Sequence, residues 1–498
     1  MWALYDVMGF LNMKAGIVEL LLRCETSVKM IIHSLVVFLL PCFLNSFLLE
    51  IEVKADDDTQ PEFFSSKGLQ LLTELNPTRT EDGLEIVEGD IVLPPGSRRK
   101  QDKHQETKGI INILTLWTKG KVPYNFHSSV DEDLKEMIVG AMKEWETHTC
   151  LTFHEKALDF NYLRFRADKE GCWSMIGRIN SIFAGQDVSI GPRCNRTNII
   201  VHEIGHAIGL YHEQSRNDRD RYIHINWHNM PVARYSQFDR GIESPRGVEY
   251  DYTSIMHYGP MAFTEKYFQK NTIAALNPFH QTLIGSGMKI SFRDSKLVNK
   301  MYSCNAFCPN NASQCQNGGF LSPYRGDDQP CHCVCPPGVS GEFCENINEP
   351  YEYYEFPPCG GNITTDTEIQ TPGYPTRKPP ADNCAWWIQA EEGKRIKVDF
   401  MDFSFHPRLD KNDSLFYRRC YHERVEIRTR NRYDGDMFCG EDIPPGTVAT
   451  SAGREFIIII DTNEQVMEGR GLKAKVSFID EKADQFSDIV LTSLLPTL

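Results

Sequence analysis

Apolar residues between positions 130 and 145 recur at intervals of three and four, which is the spacing of one face of a helix. The pattern predicts an amphipathic helix whose buried face comprises Leu134, Ile138, Ala141, Met142 and Trp145. Two short stretches with strand character follow, at residues 151–154 and 162–166. Mixed helix and strand signals indicate an α+β domain in this part of the chain.

The last third of the chain carries a different pattern. Ile396, Val398 and Phe400 alternate with other residues, as in a strand with one buried face. Residues 456–460 form a continuous apolar run bounded by polar residues, which is typical of a buried strand. These patterns predict β-structure near positions 400 and 460.

A third apolar segment, residues 31–49, follows Lys29 near the start of the chain. A positive flank and a hydrophobic core are typical of a secretory signal, so we predict a signal region at residues 1–54. A signal anchor is the alternative, because the segment approaches the length of a membrane span. Polar and proline interruptions within the segment weaken that alternative, and no stable membrane span is expected. An internal start at Met30 would give a more ordinary signal peptide.

Charge and cysteines narrow the class of protein. The net charge of −15 leaves no basic stripe for phosphates and argues against a nucleic-acid partner. Of the sixteen cysteines, Cys24 and Cys42 belong to the signal region, and the other fourteen fall into groups of four, six and four. In an exported chain such grouping predicts a disulfide framework and several domains.

A metal-binding motif lies in the first cysteine group. His202 and His206 are four residues apart, so on a helix both can bind one ion, with Glu203 beside them. Gly209 allows the chain to turn and bring His212 in as a third ligand. Three protein ligands leave one position of a zinc site open for water, which is the arrangement of a catalytic site. A chance H-E-x-x-H on an ordinary helix is the alternative, and the extended spacing disfavours it.

These residue types predict peptide-bond hydrolysis with one Zn²⁺ ion. Zinc lowers the pKa of a bound water toward neutrality. Glu203 is suited to accept the proton of that water as general base and to return it to the leaving amine as general acid. The predicted substrates are proteins or peptides.

Segments 212–222 and 250–258 resemble the signature pair of the astacin zinc metalloendopeptidases, including nematode-type members. The resemblance implies a metzincin catalytic domain, an α+β fold of a twisted sheet plus helices. It implies that Met256 forms a turn beneath the metal and that Tyr258 is a displaceable zinc ligand whose hydroxyl stabilises the oxyanion. It also implies that an edge strand near residues 177–186 binds the substrate.

The resemblance sets the catalytic domain at residues 108–304. Sequence alone allows three pairings for its four cysteines, and the resemblance favours Cys150 with Cys304 and Cys172 with Cys194.

Residues 55–107 are a predicted propeptide. Val87-Glu88-Gly89-Asp90 resembles the astacin Phe-x-Gly-Asp motif, which implies that Asp90 binds the zinc in place of water and keeps the zymogen inactive. A simple turn is the alternative. The basic run 98–100 is a candidate processing site, whereas alignment with the family starts the mature enzyme near Lys108, and trimming in two steps would reconcile the two. In the family the new terminal ammonium is buried against the residue equivalent to Glu213.

Residues 305–345 resemble an EGF-like module, a small disulfide-rich unit that needs cross-links because it buries little apolar area. A zinc-binding cysteine cluster is the alternative, which export disfavours. The implied pairings are Cys308 with Cys331, Cys315 with Cys333, and Cys335 with Cys344. A linker is predicted at residues 346–358.

Residues 359–480 carry the motifs Cys-Gly-Gly, Thr-Pro-Gly-Tyr-Pro and Phe-Cys-Gly and resemble a CUB domain, an all-β sandwich. A C-terminal tail follows at 481–498. The implied pairings are Cys359 with Cys384 and Cys420 with Cys439. Many CUB domains bind calcium, and Glu423 occupies one of the acidic positions, so Ca²⁺ is a candidate second ion.

The sequence thus predicts a multidomain, secreted zinc endopeptidase that acts on extracellular or matrix proteins and is activated by propeptide removal. Predicted glycosylation sites are Asn195, Asn311, Asn362 and Asn412. The competing class is a catalytically inactive extracellular binding protein that uses the EGF-like and CUB modules. The presence of Glu203 and all three histidines favours the enzyme.

Overall fold

The computed structural model describes residues 76–94, 115–180, 185–241, 246–306, 308, 315–323, 331–351, 355–376, 383–410, 417–462 and 469–481. Several predicted features lie outside these residues: the signal region, the basic run 98–100, the mature start at Lys108, Asn311, Asn412 and nearly all of the tail. Within the described part, none of the helices combines the length and apolar character needed to cross a membrane.

The described part of the predicted propeptide forms a hairpin. Strands β1 (Ile86–Val87) and β2 (Ile91–Val92) pair antiparallel. Between them Glu88 and Gly89 have positive φ angles of 49° and 81°. Because a non-glycine residue rarely adopts this conformation, residues 87–90 make a tightly specified turn.

A five-stranded sheet forms the amino-terminal half of the predicted catalytic domain. Its strands are β3 (Lys121–Phe126), β4 (Thr152–Glu155), β5 (Leu163–Arg166), β6 (Cys172–Trp173) and β7 (Gln186–Ile190). They lie in the order β4-β3-β5-β7-β6, all parallel except β6. The two strands predicted from the sequence appear as β4 and β5, each beginning one residue later.

Helices α1 (Glu132–His148) and α2 (Thr197–Ala207) pack in the same core as this sheet. The Asp131 carboxylate accepts a hydrogen bond from the Leu134 backbone N–H at 2.9 Å and so caps the start of α1. The five residues of the predicted apolar face are buried. Among them, Trp145 donates from its indole N–H to the Val201 carbonyl at 3.0 Å. Helix α1 therefore supports α2, which carries the metal-binding motif.

The carboxyl-terminal half of the domain has little regular structure. Strands β8 (Ile223–Ile225) and β9 (Ile273–Ala275) pair antiparallel, and helix α3 (Phe292–Met301) begins with a capping box formed by Ser291 and Asp294. The 3₁₀ helices of the described chain are Thr118–Gly120, Glu213–Ser215, Arg219–Arg221, Trp227–Asn229, Val232–Phe238 and Pro278–Leu283.

The cysteine-rich segment after α3 contains four short strands in two antiparallel pairs. They are β10 (Phe320–Leu321), β11 (Cys333–Val334), β12 (Val339–Ser340) and β13 (Asn346–Ile347). The structure contains the seven disulfides Cys150–Cys304, Cys172–Cys194, Cys308–Cys331, Cys315–Cys333, Cys335–Cys344, Cys359–Cys384 and Cys420–Cys439. These are the pairings that the family resemblances implied.

The predicted linker is packed against the catalytic domain. Tyr351 places its ring under the Arg293 guanidinium, 4.2 Å from the ring centroid, and Glu355 forms an ion pair with the same arginine. Phe356 packs its ring on Phe279, with centroids 5.2 Å apart. The described part of this segment is therefore packed in place and does not act as a free linker.

The last domain is a sandwich of two sheets, as its resemblance implied. Its strands are β14 (Cys359–Ile363), β15 (Thr367–Gln370), β16 (Cys384–Gln389), β17 (Lys394–Ser404), β18 (Glu423–Arg428), β19 (Asp436–Phe438), β20 (Thr447–Thr450), β21 (Glu455–Thr462) and β22 (Gly471–Asp480). One sheet has the order β14-β16-β21-β18-β19 and the other β15-β22-β17-β20. The alternating residues of β17 and those of β21 share the core between the sheets.

Candidate metal centre and active site

Helix α2 and the turn after it bring three imidazoles together. His202 and His206 lie one helical turn apart on α2, and the helix ends at Ala207. Gly209 then adopts a φ of 112°, which strongly favours glycine, and the chain reverses toward His212. The ring centroids of His206 and His212 are 4.6 Å apart. The predicted ligands thus converge, and all three are buried.

A fourth group reaches this cluster from the hairpin of the predicted propeptide. Asp90 Oδ2 lies 3.1 Å from His202 Nε2, and Oδ1 lies 3.4 Å from His206 Nε2 and 3.2 Å from His212 Nε2. The Nε2 atoms of His202 and His212 are 3.3 Å apart. Ligand atoms about 2.0–2.1 Å from a tetrahedral zinc ion lie about 3.3 Å from one another. The donor set therefore fits zinc in number, type and spacing.

The hydrogen bonds of the Nδ1 atoms explain why the Nε2 atoms of the histidines are directed to the candidate metal position. Nδ1 of His202 lies 2.7 Å from the Ile255 carbonyl, and Nδ1 of His206 lies 2.8 Å from the Leu210 carbonyl. In both rings Nδ1 then carries the proton, and Nε2 is left as a lone-pair donor. The Nδ1 of His212 faces Glu88 Oε2 at 3.2 Å. A hydrogen bond donated from Nδ1 to this carboxylate likewise leaves the Nε2 lone pair of His212 free to bind a metal.

Glu203 is adjacent to the cluster and fully buried. Among the described residues, neither oxygen of its carboxylate has a hydrogen-bond partner. Burial, and after it the neighbouring Asp90 carboxylate, raises the pKa of Glu203 well above its usual value. A buried carboxylate with free acceptor positions beside a metal site is suited to take up and release a proton.

Tyr258 lies against the third ligand. Its ring centroid is 4.4 Å from that of His212, and Phe238 and Phe263 pack on it at 6.1 and 5.8 Å. Its backbone N–H donates to Gln214 Oε1 at 2.9 Å. The structure thus brings Tyr258 to the predicted site and fixes it from both its backbone and its ring.

The hairpin of the predicted propeptide is hydrogen-bonded to the edge of the sheet beside the metal centre. The Val92 N–H donates to the Ser174 carbonyl at 2.8 Å, and the Ser174 N–H donates to the Asp90 carbonyl at 3.0 Å. The Asn76 amide makes two hydrogen bonds to the backbone of Cys172, at 2.6 and 2.7 Å. The hairpin therefore extends the sheet next to β6.

The edge strand predicted near residues 177–186 lies only partly within the described residues, because positions 181–184 fall outside them, so it stays a prediction. The described positions 177–180 form no strand, and Gln186 begins β7, which lies between β5 and β6. Among the described strands, β6 and β4 lie at the two edges of the sheet, and β6 is the edge next to the hairpin. Two cysteines and four glycines interrupt residues 171–194, so alternation gave no strand signal there.

Two family models match the chain: the Astacin peptidase family over residues 109–303 and the CUB domain over residues 359–475. The chain is 30% identical over 469 residues to Protein SpAN of Strongylocentrotus purpuratus, covering 90% of this chain and 72% of that protein. It is 31% identical over 427 residues to Zinc metalloproteinase dpy-31 of Caenorhabditis elegans, covering 82% and 68%. The chain belongs to the astacin family. It is a zinc metalloendopeptidase with a CUB domain.

Among solved structures, High choriolytic enzyme 1, a hatching enzyme zinc-protease from Oryzias latipes, aligns with 39% of this chain and 96% of that chain, at 32% identity and a TM-score of 0.36. The EGF-like assignment of residues 305–345 stays a prediction that rests on cysteine spacing and on the three disulfides of that segment.

The turn beneath the astacin metal site is packed tightly against α2. A Cβ atom on Gly205 would lie 2.6 Å from Met256 Sδ and 3.4 Å from the Trp145 ring. The Met256 carbonyl accepts a hydrogen bond from the Glu213 N–H at 3.0 Å. Met256 therefore contacts α2 between His202 and His206, and its role beneath the metal stays a prediction.

We expect Gly205→Ala to destabilise the protein although alanine favours helices. Overpacking of a core typically costs about 1–3 kcal/mol, more than the roughly 1 kcal/mol that alanine gains over glycine in a helix. Urea unfolding of both proteins measures the difference. A matched control is Gly140→Ala in α1, where an added Cβ would meet nothing within 4 Å and should stabilise.

Glu213 is buried after the third ligand. Its Oε1 accepts hydrogen bonds from Arg216 at 2.8 Å and from the Asp251 N–H at 2.7 Å. Burial raises the pKa of Glu213 to about 8, although the charge of Arg216 opposes this. Its implied partner, the ammonium of a mature Lys108, lies outside the described residues, so that role stays a prediction.

Three residues of the site escaped sequence reasoning. Glu88 occupies the unspecified position of the propeptide motif, Gln214 follows the zinc motif without any periodic signal, and Asn76 lies far upstream. Each acts through a contact that spans 44 or more residues, and local patterns carry no information on such contacts.

The structure describes the predicted calcium ligand Glu423 and two of the predicted glycosylation sites. Glu423 Oε2 accepts the His406 N–H at 3.1 Å, and the neighbouring Asp461 is paired with Arg424. Within the described residues, Glu423 belongs to no cluster of three metal-binding side chains. Asn195 and Asn362 are exposed.

Proposed function

We propose that this astacin is exported as a zymogen and cuts extracellular or matrix proteins after its propeptide is removed. The convergence of three histidine nitrogens and the Asp90 carboxylate, at 3.1 to 3.4 Å, carries the proposal. Removal of Asp90 would leave three protein ligands and an open position, as hydrolysis requires. Seven disulfides support export, because such cross-links persist in oxidising compartments.

The proposed mechanism divides the chemistry between a zinc site and two side chains, Glu203 and Tyr258. Zinc, when bound by His202, His206 and His212, polarises the scissile carbonyl and acidifies water. Glu203 takes the proton of the attacking water and passes it to the leaving amine. The Tyr258 hydroxyl donates a hydrogen bond to the oxyanion that develops on the carbonyl.

The proposed latency has two causes: Asp90 binds the metal, and the hairpin covers the substrate-binding edge. Asp90 occupies the position that water needs, and the hairpin occupies the β6 edge that an extended substrate could use. Lys169 also holds the propeptide through ion pairs with Glu81 and Asp82, at 3.0 and 3.3 Å. Exposed pairs of this kind contribute little, so the buried Asp90 contact carries most of the specificity.

Metal removal tests the proposed chemistry. Treating the propeptide-free protein with 1,10-phenanthroline should lower hydrolysis of fluorescent casein and denatured collagen at least about 10²-fold, because water without the metal is a far weaker acid. Added Zn²⁺ should restore the rate, and added Ca²⁺ alone should not. Cleavage that resists the chelator, or no cleavage before treatment, would favour an extracellular binding protein instead.

A further inference from the structure

One strand of the CUB domain is apolar on both faces. Phe456, Ile458 and Ile460 of β21 point into the sandwich core. Ile457 and Ile459 point outward, yet they are at most 1% exposed and pack with Phe279 of the catalytic domain. A sandwich strand with one solvated face alternates, so a continuous apolar run indicates that both faces are covered. The catalytic domain provides the second cover.

Buried polar contacts cross the same boundary. The Arg428 guanidinium pairs with both oxygens of Glu426 at 2.8 Å and donates to Gln281 Oε1 of the catalytic domain at 2.8 Å. Asn271 Nδ2 of the catalytic domain donates to Glu426 Oε2 at 2.9 Å. A buried ion pair is stable only when its remaining hydrogen-bonding groups are satisfied. Here the catalytic domain satisfies them.

One catalytic-domain segment that takes part in these contacts is residues 260–271, which we call the 260–271 loop. Lys270 Nζ lies 2.8 Å from Asp436 Oδ1 and 3.3 Å from Asp434 Oδ1. Phe268 packs its ring on that of Tyr421, with centroids 5.5 Å apart. Three residues in the carboxyl-terminal part of this loop, Phe268, Lys270 and Asn271, thus contact the CUB domain.

The near end of the 260–271 loop adjoins Tyr258. Thr272 closes the loop, because its N–H donates to the Pro260 carbonyl at 2.8 Å and its hydroxyl donates to the Ala262 carbonyl at 2.7 Å. Pro260 follows Tyr258 by two residues. Phe263, inside the loop, packs edge-on against the Tyr258 ring. A displacement of the loop would therefore move both the backbone and the ring support of Tyr258.

We propose that the CUB domain is a positioning element of the active site, which holds the 260–271 loop through Glu426, Asp434 and Asp436 and thereby fixes Tyr258. The inference rests on the proposed oxyanion role of Tyr258. Glu426, Asp434, Asp436 and Lys270 are positioning residues, since they act through the loop. The CUB domain then contributes to the rate of the chemical step as well as to any binding of substrates.

The test uses the complete propeptide-free protein and fluorescent casein. Lys270→Met should lower kcat about three- to tenfold with KM changed less than about twofold, because Tyr258 acts in the transition state. Lys270→Arg, which keeps the charge, should recover most of the loss. Asp436→Asn removes the same ion pair from the CUB side and carries the same expectation if Lys270→Met folds poorly.

A double-mutant cycle with Tyr258→Phe separates positioning from general destabilisation. If the CUB domain acts through Tyr258, Lys270→Met should cost nothing further in the Tyr258→Phe background. Arg408→Met is the matched control, since it breaks an ion pair with Asp442 of similar exposure within the CUB domain. It should leave kcat unchanged.

Three results would overturn the inference: an unchanged kcat in both Lys270→Met and Asp436→Asn, an undiminished effect in the Tyr258→Phe background, or an equal loss in Arg408→Met. An unchanged kcat in Tyr258→Phe alone would instead refute the oxyanion role within the proposed function. The two failures are therefore distinguishable.

Discussion

Replacing Glu203 with glutamine is expected to lower kcat for casein hydrolysis by about 10²- to 10⁴-fold, the range that general acid–base groups contribute. Glutamine keeps the shape of the side chain but can neither accept the proton of water nor deliver one to the amine. Because both proposed proton transfers depend on this one carboxylate, we expect the loss to lie toward the upper end. Steady-state rates on the propeptide-free protein measure it.

The zinc content of the Glu203→Gln protein should equal that of the wild type, since the ligands are His202, His206 and His212. Elemental analysis of the purified proteins checks this. Glu136→Gln, which changes an exposed carboxylate on α1 in the same way, is the matched control and should retain full activity. Residual activity within about tenfold of wild type would show that another group supplies the base.

The features that the sequence predicted well are those encoded by local spacing. The apolar face of α1 follows from a 3.6-residue period, and its five residues are all buried. The metal cluster follows from the same period in α2, extended by a glycine whose φ of 112° turns the chain. In both cases the residues that determine the structure lie within about four turns of one another, so a short window contains the signal.

The features that sequence reasoning missed depend on contacts between distant segments. Glu88 meets His212 across 124 residues, and Asn76 meets Cys172 across 96. No period relates such positions. The outward-facing Ile457 and Ile459 did leave a trace, because they turn an alternating strand into a continuous apolar run. From the sequence that run predicted only a strand, and the surface that covers its outer face is a contact between distant segments.

The contacts of the predicted linker and of the CUB domain with the catalytic domain show that the predicted modules are not structurally independent. The spacing of the cysteines suggested separate modules joined by a linker. In the structure, however, Glu355 of the predicted linker pairs with Arg293, and Arg428 of the CUB domain donates to Gln281. Modules that share buried ion pairs and apolar contacts tend to fold as one unit and not as independent domains. Stability and activity are then expected to be coupled across this boundary.

The second large effect is expected from Asp90→Ala in the uncut zymogen. Loss of the carboxylate that faces His202, His206 and His212 should open the water position, so the intact chain should hydrolyse casein at least about tenfold faster than the intact wild type. Tenfold corresponds to losing only about 1.4 kcal/mol of the contact that closes the site. Initial rates, with intact mass measured before and after each assay, provide the test.

The control separates ligation from simple anchoring of the propeptide. Asp82→Ala removes a carboxylate from the same segment, but Asp82 is exposed and pairs only at the surface with Lys169. If Asp90 acts as a ligand, Asp82→Ala should leave the zymogen silent, because an exposed ion pair contributes at most about 1 kcal/mol. Equal activation by both changes would indicate that the hairpin inhibits by occlusion alone. An Asp90→Ala zymogen that stays inactive, with its zinc bound, would refute the ligand role, since the hairpin would then close the site without the carboxylate.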